Sequence, residues 1–220
     1  MGKKHAWYWI GTGTMLLLAA LFLVVYNVYS DRQSGKASGE ILTALRQVIT
    51  EHTPETPEEE TMPLIPEPSE DLYEEYEQEE ETLPPEDPTV ELDGRYYVGV
   101  LTIPSLNVEL PVLREWSYPN LRIAPCRYIG AAAAGDLVIA AHNYSSHFGR
   151  IQSLNTGDEI LFTDAEGKVY RYAVSHTEMI GGYDVPTMKA GAEGEWDLTL
   201  FTCTLSGRSR VSVRAVEIKE

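Results

Sequence analysis

A cysteine followed at short range by three arginines is the part of this 220-residue chain best equipped for chemistry. Cys203 closes the apolar run Leu198-Thr-Leu-Phe-Thr-Cys203. Ser206-Gly207 supply a turn, and Arg208, Arg210 and Arg214 follow on an alternating run with Val211 and Val213. β-Branched and aromatic residues on both sides of a small polar turn predict a hairpin. A thiol at a strand end beside guanidinium groups has cationic neighbours that favour the thiolate, its nucleophilic form. Acyl transfer through a thiolate needs two further parts, an acid–base group for the leaving amine and donors for the tetrahedral oxyanion. The plainer alternative is a buried structural cysteine beside exposed arginines.

Cys126, in Ala124-Pro-Cys-Arg-Tyr128, is the second of two cysteines. Outside a cell the two could pair; the reading here is two free thiols, with Cys126 a small residue of a barrel wall. Three histidines compete for the acid–base role. His142 ends the apolar run Leu137-Val-Ile-Ala-Ala-His142, His147 lies in the loop Ser145-Ser-His-Phe-Gly-Arg150 as a packing residue, and His176 faces solvent within a strand. Their spacing supplies no zinc set, and no other metal or cofactor is implied. Among the arginines, positions 208, 210 and 214 share one strand face, and Arg214 lies about 13 Å beyond Arg210 at ~3.3 Å per residue. Arg208 and Arg210 both stay open. A four-residue loop over 204–207 would set Arg208 opposite Cys203, whereas Gly207 makes its surroundings turn-like.

The elements that would position these groups are strands. Runs at 96–103, 108–113, 127–130, 136–142, 159–163, 169–178, 198–203 and 209–218 are rich in β-formers and bounded by turn residues. Asp164-Ala-Glu-Gly167 is a tight-turn signal between two of them. Eight short strands at this spacing predict a mainly antiparallel barrel or sandwich over residues 94–220. About 125 residues suffice for one core.

Ahead of that domain, residues 7–29 carry no charged side chain and are flanked by aromatic residues, about the ~20 residues a membrane-crossing helix needs. Lys3 and Lys4 place the N-terminal 1–6 in the cytoplasm. The apolar run is long for a signal peptide, and Asn27-Val-Tyr-Ser-Asp31 lacks a small-residue cleavage pattern. An uncleaved single-pass anchor puts the rest outside the cell. Residues 30–50 form a juxtamembrane amphipathic helix with the stripe Ile41, Leu42, Leu45, Val48, Ile49, capped by Ser38, and facing either lipid or the domain. Charge is concentrated next: net +3 over 1–50, −18 over 51–93 and −2 over 94–220. The Glu/Pro-rich 51–93 segment cannot offset its ordering entropy and reads as a disordered, extended spacer. Its reach is bounded at ~140 Å for about 43 residues at ~3.3 Å each. A lid carrying Leu72, Tyr73 and Tyr76 is its alternative use. No basic stripe marks a nucleic-acid surface.

Thr199-Leu-Phe-Thr-Cys203 followed by Arg210-Val-x-Val resembles the catalytic signature of sortases, the cysteine transpeptidases of Gram-positive cell surfaces. Gly135-Asp-Leu-Val-Ile-Ala-Ala-His142-Asn143 resembles the histidine segment of the same family, and the likeness spans about 97–218. The resemblance implies an eight-stranded sortase-type β-barrel with short helices. In it Cys203 attacks the threonine carbonyl of an Leu-Pro-x-Thr-Gly-like sorting peptide, and His142 protonates the leaving amine. Arg210 and the backbone N–H of Thr204 hold the oxyanion, with Arg208 the runner-up for Arg210 and Thr202 shaping the groove. The acceptor it implies is an amine of a peptidoglycan precursor or a pilin lysine. The stretch 179–197 is too short for a long inserted helix, which weakens a class B assignment, and no Asp-Pro-aromatic lid or second apolar segment supports a pilin polymerase. The rival readings are a hydrolytic cell-wall thiol peptidase and a non-catalytic surface-binding domain.

Overall fold

The computed structural model describes residues 3–52, 87–182, 184, 187 and 195–219. The expected spacer core and the proposed lid residues Leu72, Tyr73 and Tyr76 lie outside the described residues. Nine strands form one sheet: β1 (Val90–Leu92), β2 (Arg95–Ile103), β3 (Val108–Leu113), β4 (Cys126–Ile129), β5 (Leu137–Ala141), β6 (Glu159–Asp164), β7 (Val169–Gly181), β8 (Leu198–Cys203) and β9 (Ser209–Glu217). The sheet order is β1-β2-β3-β4-β5-β8-β9-β7-β6, and β6 pairs back onto β2, so eight strands close into a barrel. All eight expected strands are present.

Closure depends on β2 changing partners. Its first residues pair with β1 (Val90 opposite Tyr97), and from Gly99 onward it pairs with β6 (Gly99 opposite Asp164). Gly99 sits at φ +155° within a bulge, where a Cβ would lie 2.1 Å from the Thr163 carbonyl oxygen, so only glycine fits. Across that pairing from Gly99, Asp164 Oδ1 accepts from the N–H groups of Glu166 and Lys168, fixing the expected tight turn.

Within the stretch expected as spacer, 90–92 form β1, which pairs with β2 and lies outside the eight-strand closure. Asp87 is buried and accepts from the backbone of Ala132 and Ala133, so the folded unit begins at least there. Burial raises its pKa, and those two hydrogen bonds oppose the rise.

Two apolar clusters lie on the two faces of the barrel wall. Inside are Val98, Leu101, Ile139, Phe162, Tyr172, Leu200 and Val213 among others. Outside, Tyr97, Val100, Leu113, Cys126, Val138, Ala140 and Phe201 pack with Leu45 and Ile49. Strands covered on both faces read as continuous apolar runs, which is why β5 and β8 show no alternation. Their cover is α1 (Lys3–His52), a single unbroken helix. The stretches expected as anchor (7–29) and amphipathic helix (30–50) run on as one element, and Ser38, expected as a cap, sits mid-helix. Leu45 and Ile49 are buried on the barrel and Arg46 pairs with Glu109, so the amphipathic stripe faces the domain rather than lipid. The N-terminal part, with Trp7, Leu16, Phe22 and Tyr29 exposed, is long and apolar enough to cross a membrane.

Candidate active site

Backbone pairing brings the candidate groups to one end of three neighbouring strands. Parallel β5 and β8 place Ala141 beside Thr202, so His142 follows at the strand end next to Cys203. Antiparallel β8 and β9 place Cys203 directly opposite Arg210. Opposed residues project to the same face. Phe201 belongs to the outer cluster, so by alternation Cys203 and Arg210 lie on the outer wall as well. Arg208 lies within the turn, exposed, and its carbonyl accepts from the Gly182 N–H at 3.0 Å. Six residues, 204–209, separate the paired Cys203 and Arg210, rather than the four that would put Arg208 in that place. The two extra residues remove Arg208 from the position opposite Cys203.

Cys203 is half-buried and free, and it lines a cavity of about 510 Å³ together with Asn143, Met179, Leu205, Ser209 and Gln152. Thr202 also borders this cavity, but its hydroxyl donates to the Ala141 carbonyl at 2.8 Å and is buried. Its contribution is to lock the end of β8 to the strand end that carries His142. The Thr204 N–H, expected as an oxyanion donor, is engaged with the Ser209 carbonyl at 3.0 Å and closes the hairpin turn. The guanidinium of Arg210 donates through Nη1 to the carbonyls of Gly207 (3.0 Å) and Ser209 (3.2 Å). Its five donors exceed the two carbonyls it serves here.

His142 stands on the other side of the strand end. Its ring lines a neighbouring cavity of about 480 Å³ with Tyr144, Arg122 and the α1 residues Tyr26, Asn27 and Ser34. It stacks at a tilt on Tyr144, with ring centroids 4.8 Å apart. Burial lowers its pKa, and the nearby Arg122 charge adds to the effect, so the neutral base is favoured. Cys126 is buried in β4 without a disulfide, and burial pushes its thiol up to about 12, which leaves it un-ionised and inert.

Three features escaped sequence reasoning. His147, read as a packing residue, is fully buried with Ser34 and Ser38 of α1 as its partners. Arg214 is likewise buried: Nε donates to Glu178 at 2.8 Å, Nη1 to Thr199 at 2.8 Å, and Nη2 to the Thr187 carbonyl, while the guanidinium lies 4.6 Å from the Trp196 ring centroid. It ties Thr187 and Trp196 to the barrel wall. His176, expected to face solvent, is half-exposed and packs edge-on against Trp196. A run of small polar residues on α1 (Asp31, Ser34, Gly35, Ser38), in phase with Leu42, Leu45 and Ile49, was the available signal for the first of these.

Residues 101–218 match the family model of the sortase domain. The chain belongs to the sortase family. Over 119 residues this sortase is 33% identical to sortase A of Bacillus anthracis, covering 51% of the present chain and 54% of that protein. It thus spans about half the length of the curated relative it matches. Among solved structures it is similar to sortase C1 of Streptococcus agalactiae, with TM-score 0.52, 20% identity, and 59% and 72% of the two chains covered. The Clostridium perfringens sortase D5 transpeptidase gives TM-score 0.50, 19% identity, and 56% and 79%. These likenesses establish the barrel fold. They come from sortases labelled A, C and D, and they fix no subclass.

Proposed function

We propose that this sortase is a single-pass membrane enzyme, with its N-terminus cytoplasmic and its barrel outside the cell, that cleaves a sorting peptide through Cys203 and passes the acyl group to an amine. The observation that carries the reading is the β8–β9 register, Cys203 opposite Arg210, with His142 at the adjoining strand end.

In this mechanism the Cys203 thiolate adds to the threonine carbonyl of an Leu-Pro-x-Thr-Gly-like peptide seated in the cavity over β8. Arg210 turns from the turn carbonyls toward the developing oxyanion, where its planar fork supplies charge-assisted hydrogen bonds. Collapse breaks the C–N bond, and His142, reacting from the protonated fraction that burial keeps small, gives its proton to the departing glycine amine. An amine of a peptidoglycan precursor or of a pilin lysine then attacks the thioester, His142 takes its proton, and Cys203 leaves as thiolate.

The test is partition of the acyl-enzyme. The full chain in detergent micelles, given a sorting peptide and triglycine, should release the peptide–triglycine amide. Release of acid alone, at every triglycine concentration, would mark a hydrolytic thiol peptidase. Failure to acylate, with Cys203 inert to iodoacetamide, would mark a non-catalytic binding domain.

A further inference from the structure

The loop that follows His142 has no strand partner, yet it is held on three sides. Its base is closed by the Phe148 N–H donating to the His142 carbonyl (3.1 Å), so the histidine and its loop move as one unit. Its tip is held by α1. Asp31 accepts from the N–H and hydroxyl of Ser145 and from the N–H (3.1 Å) and hydroxyl (2.6 Å) of Ser146. Ser34 and Ser38 donate their hydroxyl protons to the carbonyls of Arg122 and Ile123, both at 2.6 Å. Their oxygens also lie 3.2 and 3.1 Å from His147 Nε2. With both hydroxyl protons committed to carbonyls, Nε2 must carry the hydrogen and donate to both serines. Gly35 completes the seam: a Cβ there would stand 3.0 Å from the Ser146 Cβ.

These four positions fall on one face of a helix that is continuous with the apolar span. Asp31 follows Tyr29 by two residues, and Ser38 lies only about 14 Å along the axis from Tyr29 at ~1.5 Å per residue. We infer that residues 31–38 of α1 are positioning residues of the active site, holding the His142 loop in its working geometry close to the membrane. The inference rests on the reading of His142 as the acid–base group. It also means that a chain cut before β1 lacks part of its own active site.

The experiment uses full-length protein in detergent micelles and a matched pair of substitutions. Gly35→Leu drives a side chain into Ser146, whereas Gly39→Leu adds the same side chain where nothing lies within 4 Å. Ser34→Ala with Ser38→Ala is the second variant, which decides the matter should Gly35→Leu fail to fold. Three readouts are taken: kcat and KM on a sorting peptide, the pH profile of Cys203 alkylation by iodoacetamide, and hydrogen exchange of 143–149. The charged and titratable groups facing His142 and its loop are Arg122, Tyr144, His147, and Tyr26 and Asp31 of α1. The seam variants should lose at least about tenfold in kcat with KM within about twofold, shift the histidine limb of the alkylation profile, and exchange faster at 143–149. Gly39→Leu should match the wild type. Seam variants that match Gly39→Leu in kcat and alkylation profile would overturn the inference, as would a rise in kcat, which would make α1 a mask instead of a support. If the wild type turns over no peptide, the transpeptidase reading fails by itself. Alkylation and hydrogen exchange then decide the inference without substrate.

Discussion

The β8–β9 hairpin and the α1 seam both serve the same strand ends, but they are built from opposite kinds of information. In the hairpin the partners lie seven residues apart, Cys203 and Arg210, and the turn between them fixes which residues face each other. In the seam Asp31 meets Ser145 and Ser146 across more than a hundred residues of chain, and no local rule connects them. A short-range motif carries its own geometry. A long-range contact acquires meaning only when the helix is seen lying on the barrel.

The sharpest way to separate the two regions is to remove the histidines in turn. His142→Ala should lower peptide acylation by ~10²–10⁴, the usual share of an acid–base group. His147→Ala should cost less, yet clearly more than His176→Ala, because His147 is buried in the seam and His176 is half-exposed. Single-turnover acylation gives the ranking. An effect of His147→Ala equal to that of His142→Ala would erase the distinction between chemistry and support.

Within the hairpin, Arg210→Lys should lower acylation by ~10²–10³, the cost of losing an oxyanion donor elsewhere. Lysine keeps the charge but not the planar fork. Arg208→Lys should stay near the wild-type rate, since Arg208 lies in the turn and away from Cys203. The reverse ranking would show that the loop rearranges on substrate binding.

On the seam side the expected effects are on stability. Leu45 is fully buried between α1 and the outer wall, so Leu45→Ala should cost ~2–5 kcal/mol, read as a drop in the denaturant midpoint of the barrel. An unchanged midpoint would mean that α1 undocks at no cost.

The last effect is a dependence on pH. Burial pushes the His147 pKa down to about 4, with the His142 charge adding and Asp31 opposing. The unfolded chain, with its histidine near 6.5, therefore binds the proton first as pH falls. Stability is unaffected above that value, declines from about pH 6.5 to 4, and levels off after a loss of about 3 kcal/mol. His142 shifts the same way and adds to the decline. At Asp31 burial raises the pKa, but the hydrogen bonds from Ser145 and Ser146 outweigh it and hold the carboxyl below its usual range, so its own loss comes at still lower pH. Denaturant midpoints of wild type and His147→Gln across pH 4–8 should converge at the acid end. Parallel curves would remove His147 as their cause.

Much of the fold was legible because barrel strands announce themselves locally: all eight expected runs are strands, and the turn at Asp164 forms as read. β1 was missed because three residues next to an acidic tract carry no pattern of their own. The helix was misjudged for a related reason. Its apolar span and its amphipathic stripe have different environments, and only continuous backbone hydrogen bonding, which composition does not report, makes them one rod. At the site, the hairpin that brings arginines near Cys203 was legible, but the choice of Arg210 rested on the family resemblance, because the loop length that sets Arg210 opposite Cys203 has no signal in the sequence. The use of the Thr204 N–H in closing the turn was not legible either, because it depends on where Ser209 folds back.

The account stands or falls on the bond formed at Cys203. Intact-mass and peptide-mapping measurements on the full chain in detergent micelles, quenched in acid shortly after mixing with a sorting peptide, test it directly. The account predicts an acyl adduct on the fragment containing Cys203, absent in Cys203→Ala and discharged as an amide when triglycine is added. No adduct, an adduct on Cys126, or cleavage that persists in Cys203→Ala would contradict it.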